Sequence, residues 1–160
     1  MDGRIVAGID GSDSAADALR WAVDQARLTG ASVEAIYVWN PGMLVSLGMP
    51  PLMDWEPLRK AAQARPREIV RETLGSDPRV RVVAKTVFGN AAEVLVDRSV
   101  GADLLVVGSR GLGGLKGMLL GSVGHHCAAH AHCPVVIVHP VPVPATRKPD
   151  RRTLGGTPAV

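Results

Sequence analysis

The chain has 160 residues, enough for one domain with a sizeable core and no need of disulfide staples. Hydrophobic residues make up 46% but aromatics only 3%, so the core must be built from Val, Leu, Ile and Ala, as in a parallel sheet packed under Ala-rich helices. The formal charge of +3 arises wholly within residues 140–160, where Arg147, Lys148, Arg151 and Arg152 outnumber Asp150; the neutral remainder speaks against nucleic acid as a partner, and no window approaches the roughly 18 apolar residues of a membrane span.

Arg4 to Asp10 (RIVAGID) reads as a short apolar strand, and the turn Asp10-Gly11-Ser12-Asp13-Ser14 supplies caps for a helix from about Ala15 to Leu28. In that helix Ala15, Ala18, Leu19, Ala22, Val23 and Ala26 recur at three- and four-residue spacing and form one apolar stripe. Gly30 ends it, and Ala31 to Trp39 makes a second strand, so the chain opens with a parallel, right-handed βαβ unit. Asp2 and Arg4 lead straight into the first strand without a leader pattern, which makes the cytoplasm the expected location.

From Asn40 to Trp55 the periodicity breaks down. Pro41, Gly42, Gly48, Pro50 and Pro51 alternate with Met43, Met49 and Met53, a long irregular connection whose methionines are expected to plug a gap in the core. Pro57 opens a helix to about Leu74, and Pro66 inside it is expected to kink or split it. Val80 to Phe88 is a third strand, Asn90 caps a helix to about Val100, and Leu104 to Val107 is a fourth strand. Val123 to His132 forms the last helix and Pro134 to His139 (PVVIVH) the last strand. Beyond Pro140 the prolines and basic residues have little to bury, so the chain divides into a folded domain over 1–139 and a Pro-rich, basic, disordered or extended tail over 140–160.

Five strands alternating with four helical segments predict an α/β fold with a single doubly wound five-stranded parallel sheet, of strand order 3-2-1-4-5. In such a sheet ligands bind beyond the carboxyl ends of the strands where the order reverses. The first and fourth strands flank that point, and the loops that follow them, Gly8–Ser14 and Gly108–Gly114, hold Gly8, Asp10, Gly11, Ser12, Gly113 and Gly114.

The stretch Gly108 to Ser122, GSRGLGGLKGMLLGS, has six glycines in fifteen residues, far too many for a stable helix or strand. Such a loop can turn backbone N–H groups toward a ligand, and Ser122 at its end is expected to be the N-cap of the last helix, adding the positive end of a helix dipole. Together these predict a phosphate site. It is not a P-loop, because Lys116 lies between Leu115 and Gly117, and not a dinucleotide fingerprint, because the sixth position from Gly111 is Lys116. What is present is Gly108, two residues, Gly111, nine residues, then Gly121-Ser122.

This spacing resembles the nucleotide motif of the ATP-binding branch of the universal stress protein family. RIVAGIDGSDSA resembles that family's opening strand and loop, GADLLVVGSRG its fourth strand and glycine turn, and HCPVVIV its final strand. The resemblance implies an adenine-nucleotide α-hydrolase-like fold and ATP as ligand, carried with magnesium. It implies that Asp10 meets the adenosine end, near any nucleotide-bound magnesium, and that Val38 meets the adenine through its backbone. Gly108, Gly111, Gly121 and Ser122 would hold the phosphates, with Ser109, Arg110 and Val123 close by. It also implies dimerisation, often through the last strand.

His125, His126, Cys127, His130, His132 and Cys133 put six metal-ligating side chains in nine residues. Ligands on one helix cannot surround a metal by themselves and the Cys-x-x-Cys spacing of zinc fingers is absent, so no metal site made by the protein alone is expected. His126 and His130 are the clean i, i+4 pair, and histidines near a helix C-terminus suit its dipole. Both cysteines are expected to be reduced thiols.

Three functions follow. The first is a regulatory or sensor protein of a stress response whose nucleotide sets its conformation or an unknown protein partner, with at most slow hydrolysis. The second is a hydrolase or transferase using Arg110 and Lys116 as charge and Asp10 or Asp13 for magnesium, though no dedicated base stands out. The third is a nucleotide-free scaffold dimer. The last strand, Pro134–His139, lies at a sheet edge in the predicted order and carries no edge-blunting charge, so it is expected to pair with a second copy across a two-fold axis unless the tail covers it.

Overall fold

Hardly a polar side chain interrupts the chain between Arg4 and Asp10, which suits a strand covered on both faces. The structure is a computed structural model that describes residues 3–40, 42, 48, 54–75, 79–112 and 120–140. The methionines of the 40–55 connection, Gly113, Gly114, Lys116 and the tail beyond Pro140 lie outside the described residues. In chain order the elements are β1 (Arg4–Ile9), α1 (Asp13–Thr29), β2 (Ser32–Trp39), α2 (Glu56–Leu74), β3 (Val82–Phe88), α3 (Ala91–Ser99), β4 (Leu104–Gly108), α4 (Ser122–His130) and β5 (Val135–Val138). All strand pairs are parallel and the order is β3-β2-β1-β4-β5, as predicted.

Successive side chains of a strand point to opposite faces, and the core divides accordingly. Ile5, Ala7, Ile9, Val33, Ala35 and Val106 meet Leu19, Val23 and the alanines of α1, together with Ile69 of α2. Val6, Ile36, Leu105 and Val107 meet Leu95 of α3 and Cys127 of α4 on the other face. α1 is held at both ends: Ser12 Oγ accepts from Ala15 N at 3.3 Å, and Gly30, left-handed at φ 74°, donates its N–H to Ala26 O at 2.9 Å. Asn90 caps α3 through Oδ1 to Ala92 N at 2.9 Å, as its sequence position indicated.

Pro66 does not split α2, which is one helix from Glu56 to Leu74. A proline inside a helix leaves the carbonyl four residues earlier without its donor. That carbonyl belongs to Ala62, and the Thr86 hydroxyl of β3 donates to it at 2.7 Å. The missing backbone bond is thus replaced by one that ties the helix to the sheet beneath it.

Near the amino ends of the strands, β2 carries the buried Glu34, 7% exposed. Its carboxylate accepts from Arg4 of β1 at 2.8 Å, Lys85 of β3 at 2.8 Å and Arg98 of α3 at 3.3 Å. Burial pushes its pKa up, but the hydrogen bonds and charges of Lys85 and Arg4 more than offset this and hold it below the ordinary carboxylate value. A carboxyl depressed in the folded state stabilises the fold above its unfolded pKa, and that stability is lost as pH falls through the folded value. Glu34→Gln is therefore expected to lower stability at pH 7 by about 2 kcal/mol, the cations being partly exposed. In urea denaturation the gap between variant and parent should close as the pH is lowered below the ordinary carboxylate range.

Candidate nucleotide site

β1 and β4 are neighbours, with Ala7 opposite Val106, yet the chain leaves them in opposite directions, through α1 on one face and α4 on the other. The loops that follow therefore start at the switch point of the sheet, the place where this kind of fold forms its ligand crevice. Gly108 sets its floor. A Cβ there would lie 2.6 Å from Ser14 Oγ and 2.7 and 2.8 Å from the Ser14 carbonyl carbon and oxygen, so the end of β4 rests directly on the first turn of α1. Ser14 Oγ in turn accepts a long hydrogen bond, 3.4 Å, from Arg110 N.

Asp10 joins the two loops. Its Oδ1 accepts from Ser12 N at 2.9 Å and Ser12 Oγ at 2.6 Å, and its Oδ2 accepts from Leu112 N at 3.0 Å. Gly111 lies against the same carboxylate, since a Cβ there would come within 2.7 Å of Oδ2. Gly11 has φ 89°, a conformation that favours glycine, and a methyl group on it would stand 3.4 Å from Arg65 Nη2 of α2. Gly8 packs under Leu95 and Val107 and belongs to the core beneath the crevice. Val38 is half-buried at the carboxyl end of β2, beside Trp39, whose ring meets Phe88 edge-on at 5.3 Å.

Within the connection from β4 to α4, Gly121 N donates to Ser109 O at 2.8 Å, and Ser109 N donates to Val138 O of β5 at 2.8 Å. The predicted cap is displaced by one residue: Gly121 is the N-cap of α4, extended at φ −75° and ψ 163°, and Ser122 is the first residue of the helix. The bond from Gly121 N to Ser109 O holds residue 121 outside the helix, so no side chain caps α4. Its first N–H groups, which no helix satisfies internally, belong to Ser122, Val123 and Gly124. A Cβ on Gly121 would meet nothing nearer than Ser109 O at 3.6 Å, so neither backbone conformation nor packing demands glycine there. Ser109 Oγ is, among the described residues, the buried side-chain polar atom without a hydrogen-bond partner.

Of the residues singled out in the sequence, Asp10, Gly11, Ser12, Gly108, Ser109, Arg110, Gly111, Gly121, Ser122 and Val123 thus gather around one crevice, with Val38 at its β2 side. Ser14 and Arg65 join them without a sequence signal: Ser14 reads as one more capping residue, and Arg65 as an ordinary helix position beside Pro66. Arg65 is ion-paired with Glu68 at 3.3 Å and Glu72 at 3.5 Å, and the N–H groups of Ser12, Arg110 and Leu112 are engaged within the loops, so the donors that suit an anion are the first N–H groups of α4. Burial pushes the Cys127 thiol up to about 11 and also raises Cys133, which disfavours the thiolate at both. A cavity of about 310 Å³ lies at the other end of the sheet, lined by Arg27, Gly30, Arg79 and Arg81 among others. It opens beside the carboxyl end of α1.

The sequence matches the model of the Universal stress protein family over residues 1–139. It is 34% identical over 137 residues to Universal stress protein Rv2623 of Mycobacterium tuberculosis (strain ATCC 25618 / H37Rv), covering 83% of this chain and 44% of that protein. It is 34% identical over 143 residues to Universal stress protein Rv3134c of the same strain, covering 89% and 51%. The chain thus spans about half the length of the curated relatives it matches. Among solved structures it resembles the protein MJ0577, with TM-score 0.71, 25% identity and coverage of 88% of this chain and 98% of that one. It also resembles a universal stress protein in complex with cAMP, with TM-score 0.56, 29% identity and coverage of 86% and 97%.

The two glycines at the mouth of the crevice are expected to differ in what they do for the fold. Gly108→Ala should destabilise by about 2 kcal/mol or more, because the methyl group meets backbone that cannot move aside cheaply. Gly121→Ala should cost no more than about 1 kcal/mol, the difference between glycine and alanine at an N-cap. Urea midpoints of the two variants against the parent measure the contrast.

Proposed function

The chain belongs to the universal stress protein family, and from that premise we propose that it binds ATP in the crevice between the β1 and β4 loops and acts as a nucleotide-dependent regulatory protein in a stress response. The observation that carries this reading is Gly121, a glycine that the protein's own backbone and packing do not require, placed at an uncapped helix N-terminus. Bare backbone there lets a phosphate approach the N–H groups of Ser122, Val123 and Gly124. The cAMP complex of a relative at 29% identity supports an adenine nucleotide as the ligand.

In this reading Gly108, Gly111, Gly121 and Ser122 shape the phosphate end, with Ser109 and Arg110 nearby; Gly113 and Gly114 belong to the same proposed set, and Arg65, ion-paired with Glu68 and Glu72, stands beside Gly11. Val38 backs the adenine, and Asp10 works first as the clip between the loops. Magnesium arrives on the phosphates, since both oxygens of Asp10 already accept hydrogen bonds from Ser12 and Leu112. That engagement leaves the carboxylate poorly placed to activate water, which favours occupancy over turnover. The domain is 1–139, it works in the cytoplasm, and it pairs with a second copy through β5, whose outer edge is apolar and unshared within the sheet. Among the described residues no helix is long and apolar enough to cross a membrane.

Gly121→Val is expected to weaken ATP binding more than tenfold in calorimetry while circular dichroism stays that of the parent. Equal affinity in the two proteins would remove the phosphate-cradle reading. Asp10→Ala should lower ATP affinity by freeing the loops; a variant with parental affinity but no ATPase, where the parent is a brisk one, would instead make the protein an enzyme. Sedimentation at micromolar concentration should give a dimer, and a monomer for both the full chain and a chain ending at Val141 would exclude pairing through β5.

A further inference from the structure

α4 carries at its carboxyl end a pair of imidazoles that the nucleotide reading does not use. His126 and His130 are four residues apart, so their side chains rise from one face of the helix on adjacent turns. His126 is half-buried and His130 is exposed, which leaves the pair open to solvent on one side. Their ring centroids are 4.4 Å apart with planes tilted by 44°. Stacked rings lie near parallel, and this pair does not.

The separation has a simple meaning in coordination geometry. An imidazole nitrogen binds a first-row divalent ion at about 2.0–2.1 Å, which puts the ring centroid roughly 3.2 Å from the ion. Two such rings on adjacent positions of a square-planar or octahedral ion have centroids about 4.5 Å apart, whereas tetrahedral positions give about 5.2 Å. The observed 4.4 Å is nearer the first value. The helix supplies a second, independent term: His130 lies in the last turn, where the carbonyl end of the dipole favours positive charge.

We propose that His126 and His130 form a two-donor site for a borderline divalent cation that prefers imidazole and right-angle coordination, of the Ni²⁺ or Cu²⁺ type. Among the described residues no group of three or more His, Cys, Asp or Glu side chains converges to hold a metal, so the other coordination positions take water. The expectation that the protein alone cannot enclose a metal and the presence of a chelating pair are compatible, since two cis donors bind an ion without surrounding it. His125 and His132 stand apart from the pair: His125 is exposed on α4, and His132 lies beyond the helix with its N–H on Ser99 Oγ at 2.8 Å.

The test is calorimetric titration of the untagged full chain with Ni²⁺ in the absence of nucleotide, so that its outcome is independent of the ATP reading. One ion per chain is expected. His126→Ala and His130→Ala should each lower affinity by about tenfold or more, because each removes one arm of a preformed chelate. His125→Ala and Cys133→Ser should leave affinity within about twofold of the parent, and circular dichroism checks that every variant keeps the fold. Absence of Ni²⁺ binding in the parent would overturn the proposal. So would parental affinity in the His126→Ala/His130→Ala double variant, or a loss as large in His125→Ala, which would assign the ion to scattered imidazoles.

Discussion

Where β4 ends, Gly108 has no side chain, and the strand rests on the backbone of Ser14 in the first turn of α1. The approach fixes two elements that are 94 residues apart in the chain, and everything at the carboxyl end of the sheet follows from it. With β4 pressed onto α1, Arg110 N reaches Ser14 Oγ, and Leu112 N reaches the carboxylate of Asp10. Gly111 is held against the same carboxylate, where a Cβ would come within 2.7 Å of Asp10 Oδ2 and push it aside. Two of the spaced glycines thus sit against the protein's own packing. Gly121 is the exception, and the ligand argument rests on that difference.

The two ends of the sheet are built on opposite electrostatic terms. At the amino end one buried carboxylate, Glu34, gathers Arg4, Lys85 and Arg98 from three other elements and locks β1, β2, β3 and α3 together. At the carboxyl end the loops present donors, with their one central carboxylate already satisfied from within the protein. At the amino end three cations share one carboxylate, while at the carboxyl end Arg65 is paired with Glu68 and Glu72 and the donors left open are the first N–H groups of α4. α4 has bare N–H groups at its first turn and His130 of the histidine pair at its last.

The sheet was legible in the sequence because its strands are short, mostly apolar runs, broken only by residues such as Glu34 in β2 and Lys85 and Thr86 in β3, and α1 because its apolar stripe is regular and flanked by Ser12 and Gly30. Element ends were less legible. Ser122 has the chemistry of a cap, yet Gly121 takes the role because its N–H is fixed by Ser109, a contact that spacing alone does not reveal. Pro66 was read by its local cost, but the remedy comes from Thr86 on another element. Ser14 and Arg65 were missed at the crevice for the same reason: their part in it exists only once distant segments meet. Asp10 was singled out as a candidate site residue, while its engagement with Leu112, 102 residues on, had no local signature.

The central claim is that an adenine nucleotide seats itself between these two loops. Titrating ATP into isotope-labelled full-length protein and following backbone amide shifts tests it most directly. The account predicts saturable shifts concentrated at Asp10 to Ser12, Arg110 to Leu112 and Ser122 to Gly124, with the amides around Glu34 unmoved. Shifts centred on Arg79 and Arg81 at the opposite end of the sheet, or no saturable shift at millimolar ATP, would contradict it.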